Sequence, residues 1–244
     1  MDTPRPDTPA RRVMRPPARS GPLGARGKVV LSMLGAVVLT AVLGRVLLAV
    51  PAVGEFDLRL VAAAHRGLDG PAASWALGID AAFGPLAAAV LAALAALVGA
   101  LLRRSVWAGV RSGTLVAVPW GIVEGLKLLV RRPRPEIESL PNQLLLPPGS
   151  FSFPSGHTAF AAAFCVAILL SLPAGWVRRV GIVLAVLVTA MTAWSRVALG
   201  VHHPTDVLAS MLLAPVLGLL LARLLDATGS SPHPDPPRTP TPAP

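Results

Sequence analysis

Apolar runs of about 20 residues, the length an α-helix needs to cross a bilayer, recur along this chain. Short clusters of Arg, Gly and Pro separate them. A chain with several such runs cannot bury them all in one water-soluble core. The composition agrees: 53% of residues are hydrophobic and only 14% charged, against about 25% charged in ordinary soluble domains. Mean hydropathy is +0.64. The expected fold class is all-α, a polytopic membrane bundle of six transmembrane helices.

The spans are expected at 29–50, 83–102, 106–130, 156–172, 180–198 and 204–225. The first apolar run exceeds the 7–15 residues of a signal-peptide core and reads as an uncleaved span. Arg45, near its far end, can snorkel to the interface. Residues 51–80 mix charged and apolar residues, which suggests a loop with one or two short helices on the membrane surface. Residues 1–28 and 227–244 are rich in Pro with Arg, Ser or Thr and are expected to be disordered cytoplasmic tails. The membrane domain is thus 29–226. Cys165 lies in an apolar run and, as the single cysteine, forms no internal disulfide.

Net charge is +10 and the pI about 11.6. The positive residues flank apolar runs, so the membrane surface explains them better than nucleic acid does. Six spans put both termini on one side, together with Arg103/Arg104 and Arg178/Arg179. The positive-inside rule makes that side cytoplasmic in a cell membrane. Lys127, Arg131, Arg132, Arg134 and Arg196 fall on the other side, where topology does not call for them. Arg132 alone reads as a flanking surface charge.

Three polar segments face that outer boundary: KLLVRRPRP from Lys127, PSGH ending at His157, and SRVALGVHHPTD from Ser195. Lys127, Arg134 and Arg196 together suit a phosphate, the arginines with planar forks and the lysine as a point charge. Ser155 and Gly156 open a helix whose free N–H groups favour an anion, although Ser155 is equally read as an N-cap. His157 and His202 are candidates for proton transfer and nucleophilic attack. Asp206, four residues after His202, can hold its ring in one tautomer. His203 reads as a neighbour of the site. A zinc site from His157, His202, His203 and Asp206 is conceivable by ligand type, but the surrounding cations oppose it. Glu124, within a span and one turn before Lys127, is read as a buried acid positioning that lysine.

These segments resemble the three-part signature of the type 2 phosphatidic acid phosphatase family. Its superfamily also includes bacterial acid phosphatases and vanadium haloperoxidases. The match runs from Lys127 to Asp206 without a gap in any segment. The resemblance implies a metal- and cofactor-independent phosphatase acting on a membrane lipid phosphate or diphosphate, with a polyprenyl diphosphate preferred over phosphatidylglycerophosphate or phosphatidic acid. It implies that His202 is phosphorylated, Asp206 orients it and His157 protonates the leaving oxygen. Lys127, Arg134, Ser155, Gly156 and Arg196 would hold the phosphate. A phosphotransferase, a non-catalytic lipid-binding or transport protein and a haloperoxidase are the alternatives. Product analysis, turnover, and halide oxidation with vanadate separate them.

Overall fold

The computed structural model describes residues 24–136, 144–145 and 149–229. The outer parts of both tails, and part of the stretch between the spans expected at 106–130 and 156–172, lie outside the described residues. Among the described residues eight helices follow in order: α1 Ala25–Ala49, α2 Pro51–Arg66, α3 Gly70–Phe83, α4 Pro85–Arg103, α5 Val106–Val130, α6 Gly156–Ser171, α7 Trp176–Ala198 and α8 Pro204–Gly229. Proline stands in the first turn of α2, α3 and α4, where a missing N–H costs nothing and the fixed φ suits a helix. Ser105 caps α5 by accepting a hydrogen bond from the Ala108 N–H at 3.4 Å.

Five of these helices, α1, α4, α5, α7 and α8, are long and apolar enough to cross a membrane. Their outward faces carry leucines and valines such as Leu39, Leu86, Leu128 and Val183. In water such a surface would be costly; against lipid it is the expected exterior. The chain is a multi-pass membrane protein.

α6 is the shorter apolar helix, with 16 residues, about 24 Å at 1.5 Å per residue. It sits at the centre, packed against α5, α7 and α8. Ala159, Phe160, Ala161 and Ala163 on it have no exposed surface. Its alanines let neighbouring backbones approach closely. Irregular backbone at 151–155 leads into α6, with Ser152, Phe153 and Ser155 fully buried. Within a bilayer, non-helical backbone is tolerated only where protein or a water-filled cavity surrounds it.

The 51–80 segment is two regular helices, α2 and α3, packed on α7. α2 buries Asp57, Val61 and His65 on one face. Val61 joins Ala193, Val197 and Val207, and His65 Nδ1 lies 2.9 Å from the Ala198 carbonyl oxygen. α3 buries Ala76 against Leu199 and Val201. The pair caps the α7–α8 end of the bundle. At the opposite end Arg26 Nη2 donates to the Ala227 carbonyl and Arg111 pairs with Asp226 at 2.8 Å. The start of α1, the start of α5 and the end of α8 therefore share one end.

Candidate active site

The three polar segments converge because backbone hydrogen bonds tie each to the next. α5 stops at Arg131, whose φ of 58° turns the chain while its N–H bonds the Lys127 carbonyl at 2.9 Å. Pro133 and Pro135 then keep the chain extended. It runs beside 150–153: the Ser152 N–H donates to the Arg132 carbonyl at 2.9 Å, and Ser152 Oγ donates to the Pro133 carbonyl at 2.9 Å. The second segment is fastened to the third in turn. The Ser155 N–H donates to the Asp206 carbonyl at 3.2 Å, and Ser210 Oγ donates to the Ser155 carbonyl at 2.8 Å. Between α7 and α8, Gly200 takes φ 75°. The turn brings the N–H groups of Val201 and His202 back to the Arg196 carbonyl, at 3.1 and 3.2 Å.

The result is a cavity of about 660 Å³ lined by Lys127, Arg134, Gly156, His157, Arg196 and His202, with Glu124 and Asp80 on its wall. Phe83, Leu86, Trp120 and Leu145 supply its apolar side. Phe160 stands behind Trp120, edge-on at 5.6 Å between ring centres, and also meets Phe83 at 6.0 Å.

Six of the eight expected site residues line this cavity; Asp206 and Ser155 lie behind it. Asp206 has no exposed surface. Its Oδ2 is 3.5 Å from His202 Nδ1, 3.3 Å from His203 Nδ1 and 2.8 Å from the His203 N–H that donates to it. A third-position acid reaching back to the residue before the helix is the capping-box arrangement. Ser155 does not cap α6 with its side chain; its Oγ accepts from Thr158 Oγ1 at 3.1 Å. Arg134 Nη1 donates to the Val201 carbonyl and to His202 Nε2 at 3.2 Å.

Burial of His202 pushes its pKa down from 6.5 to about 3, although Asp206 opposes this. The ring is neutral at ordinary pH, with a lone pair available. Burial also lowers Arg134 to about 10, against the pull of Asp206, which still leaves it charged. A neutral imidazole facing several cations can attack an anionic phosphorus centre.

Two expectations are corrected. Arg132 is not a flanking surface charge: it is 3% exposed. It bridges Asp206 Oδ1 at 2.7 Å and Asp57 Oδ2 at 2.8 Å. A buried guanidinium needs such partners, and Asp57, overlooked in the sequence, comes from α2. Glu124 is not buried, its side chain being 42% exposed on the cavity wall. It does hold Lys127, at 2.9 Å. A second overlooked acid is Asp80 of α3. Its Oδ1 accepts from Arg196 Nη1 and lies 3.3 Å from His157 Nε2. These two neighbours, His157 foremost, hold its pKa down at about 2 against the effect of burial.

A family model described as the PAP2 superfamily matches residues 108–229, half of the chain. The chain belongs to the PAP2 superfamily. All three signature segments fall inside the matched region, whereas Asp57 and Asp80 precede it. The chain is 40% identical over 90 residues to an undecaprenyl-diphosphatase of Sulfolobus acidocaldarius, covering 36% of this chain and 41% of that protein. It is 33% identical over 129 residues to a decaprenylphosphoryl-5-phosphoribose phosphatase of Mycobacterium tuberculosis, covering 52% and 67%. The match therefore spans less than half the length of the first relative. The fold is similar to that of a transmembrane PAP2-type phosphatidylglycerolphosphate phosphatase from Bacillus subtilis, with a TM-score of 0.59 over 84% of this chain and 95% of that one, at 23% identity.

Proposed function

We propose that this PAP2-superfamily chain hydrolyses the phosphate or diphosphate of a membrane lipid through a phosphohistidine on His202, without a metal. One observation carries the reading: Lys127, Arg134 and Arg196 share a cavity with His157 and His202 in a protein whose outer surface suits lipid. Phosphoryl transfer is mostly positioning and charge stabilisation, and this cavity offers both.

In the proposed sequence the cations and the Gly156 backbone hold the phosphoryl oxygens. Arg134 swings its Nη1 from His202 Nε2 to the phosphate, which frees the lone pair. Nε2 then attacks phosphorus, the bond to the leaving oxygen breaks, and His157 protonates that oxygen. Asp206 compensates the positive ring that forms. Water, losing a proton to His157, cleaves the P–N bond and restores both histidines. Ser155 supports the start of α6 from behind rather than touching phosphate with its hydroxyl.

The relatives' names and the apolar wall of Phe83, Leu86 and Trp120 favour a long-chain substrate. A polyprenyl diphosphate is preferred; phosphatidylglycerophosphate and phosphatidic acid are the rivals. The bundle end carrying Arg26, Arg104 and Arg111 is assigned to the cytoplasm, and the cavity end to the outside. The test is phosphate release by purified protein from these lipids in detergent with EDTA present. Release by the parent and none by His202→Ala is expected. No release from any of them, or release unaffected by that substitution, contradicts the proposal.

A further inference from the structure

We propose that Asp80, on α3 and outside the three signature segments, is a positioning residue. It fixes Arg196 for phosphate and steadies the His157 ring from which a proton passes to the leaving oxygen. The assignment rests on the phosphatase reading and deepens it.

The first observation concerns Arg196. Its side chain is 2% exposed, and its three nitrogens are divided. Nε donates to Ser195 Oγ at 3.3 Å, Nη1 donates to Asp80 Oδ1, and buried Nη2 has no hydrogen-bond partner among the described residues. Two anchored nitrogens hold the planar fork still. The third is left for an incoming oxygen, at the cavity that Arg196 lines. Asp80 thus orients the guanidinium without using its remaining donor.

The second observation concerns His157. Its charged surroundings are Lys127 and Glu124 from α5, Arg196 from α7, Arg134 and His202 from the loops, and Asp80 from α3. Burial, and after it the cations, disfavour an imidazolium. Glu124 is engaged with Lys127 at 2.9 Å. Asp80 is the carboxylate beside the ring, 3.3 Å from Nε2. An adjacent carboxylate stabilises the protonated ring, the form a general acid needs. As the P–N bond to His202 forms and the P–O bond to the leaving group breaks, this proton passes to the departing oxygen. His157 becomes neutral, while Arg196 continues to balance Asp80.

α3 holds Asp80 there through Ala76, which packs with Leu199 and Val201. The Asp80 side chain is 30% exposed and lies outside that apolar contact.

The experiment measures kcat and KM for the full chain in detergent with two substrates. Phosphatidic acid has a poor, alkoxide leaving group; p-nitrophenyl phosphate has a good one that needs no acid. General acid–base groups contribute ~10²–10⁴-fold, so a group acting through one is expected to cost on the order of 10–100-fold. Asp80→Asn should lower kcat for phosphatidic acid by that amount yet leave kcat for the aryl phosphate within about 3-fold. KM should rise for both, because Arg196 meets the phosphate of both. In a His157→Ala background, Asp80→Asn should lower kcat for phosphatidic acid by no more than about 2-fold further.

Asp80→Ser is carried in parallel, so that failure of one variant to fold leaves the comparison intact. Equal kcat losses on both substrates, full additivity with His157→Ala, or loss of folding in both Asp80 variants would overturn the assignment. A parent that releases no phosphate from these two substrates, from a polyprenyl diphosphate or from phosphatidylglycerophosphate sinks the phosphatase reading itself, whereas an active parent with an unsplit Asp80→Asn sinks only this inference.

Discussion

Asp206 meets four groups at the residue scale: both ring neighbours, His202 and His203, the His203 N–H and Arg132. Arg132 also meets Asp57, and all three charged side chains are nearly or fully buried. Breaking such a group by removing one member is costly because it strands buried charge, typically by about 3–5 kcal/mol. Arg132→Ala is therefore expected to lower the Tm in detergent substantially, whereas a surface arginine such as Arg66 changed to Ala should not. Matching Tm values for the two variants would refute the buried triad. His202 makes a separate prediction about pH. Its folded pKa, about 3, lies below the ordinary 6.5, so the unfolded chain takes up a proton first as pH falls. Stability is lost between these values, by at most ~1.4 kcal/mol per pH unit. His202→Gln does not titrate, so its Tm should decline less steeply from pH 6.5 to 4 than that of the parent. Parallel declines would argue against the buried neutral ring.

At the scale of elements, α4 and α5 form a hairpin whose crossing depends on small residues. A Cβ built on Gly109 would sit 2.7 Å from the Ala96 carbonyl oxygen and 2.8 Å from the Ala100 Cβ. Neither atom is the end of a flexible side chain. Gly109→Ala is expected to destabilise by about 1–3 kcal/mol, as overpacking generally does, read as a lower Tm, while Gly121→Ala, with open space around it, should not. The spans themselves were legible because lipid contact leaves long apolar runs. α5 runs from Val106 to Val130 and α7 ends at Ala198, as the apolar pattern and the flanking arginines indicate. The signature segments were legible because their spacing is carried by helix ends. The role of α2 was not. Asp57, Val61 and His65 recur every four residues, a face that marks a buried polar stripe only once a partner is known. Arg132 adjoins Arg131, which is exposed, and nothing local tells the two apart. Asp80 reaches the site only through the packing of α3 on α7, a long-range contact without a local sequence signal.

For the whole molecule, one end of the bundle is knit by Arg26 to Ala227 and Arg111 to Asp226, and the other holds the cavity. The cytoplasmic assignment of the first end predicts labelling. In a Cys165→Ala background, Arg66→Cys in α2 should react with a membrane-impermeant maleimide added to intact cells, and Arg104→Cys should react only after lysis. The reverse pattern would invert the topology and put the cavity inside. The account as a whole depends on an imidazole at position 202 reaching phosphorus. The most direct measurement is mass spectrometry of protein quenched during turnover of a lipid phosphate with EDTA present. Phosphate on His202 in the parent, and none on any histidine in His202→Ala, is the predicted result. Turnover with the phosphate carried by His157 or His203, or with no phosphohistidine under conditions that preserve one, would contradict it.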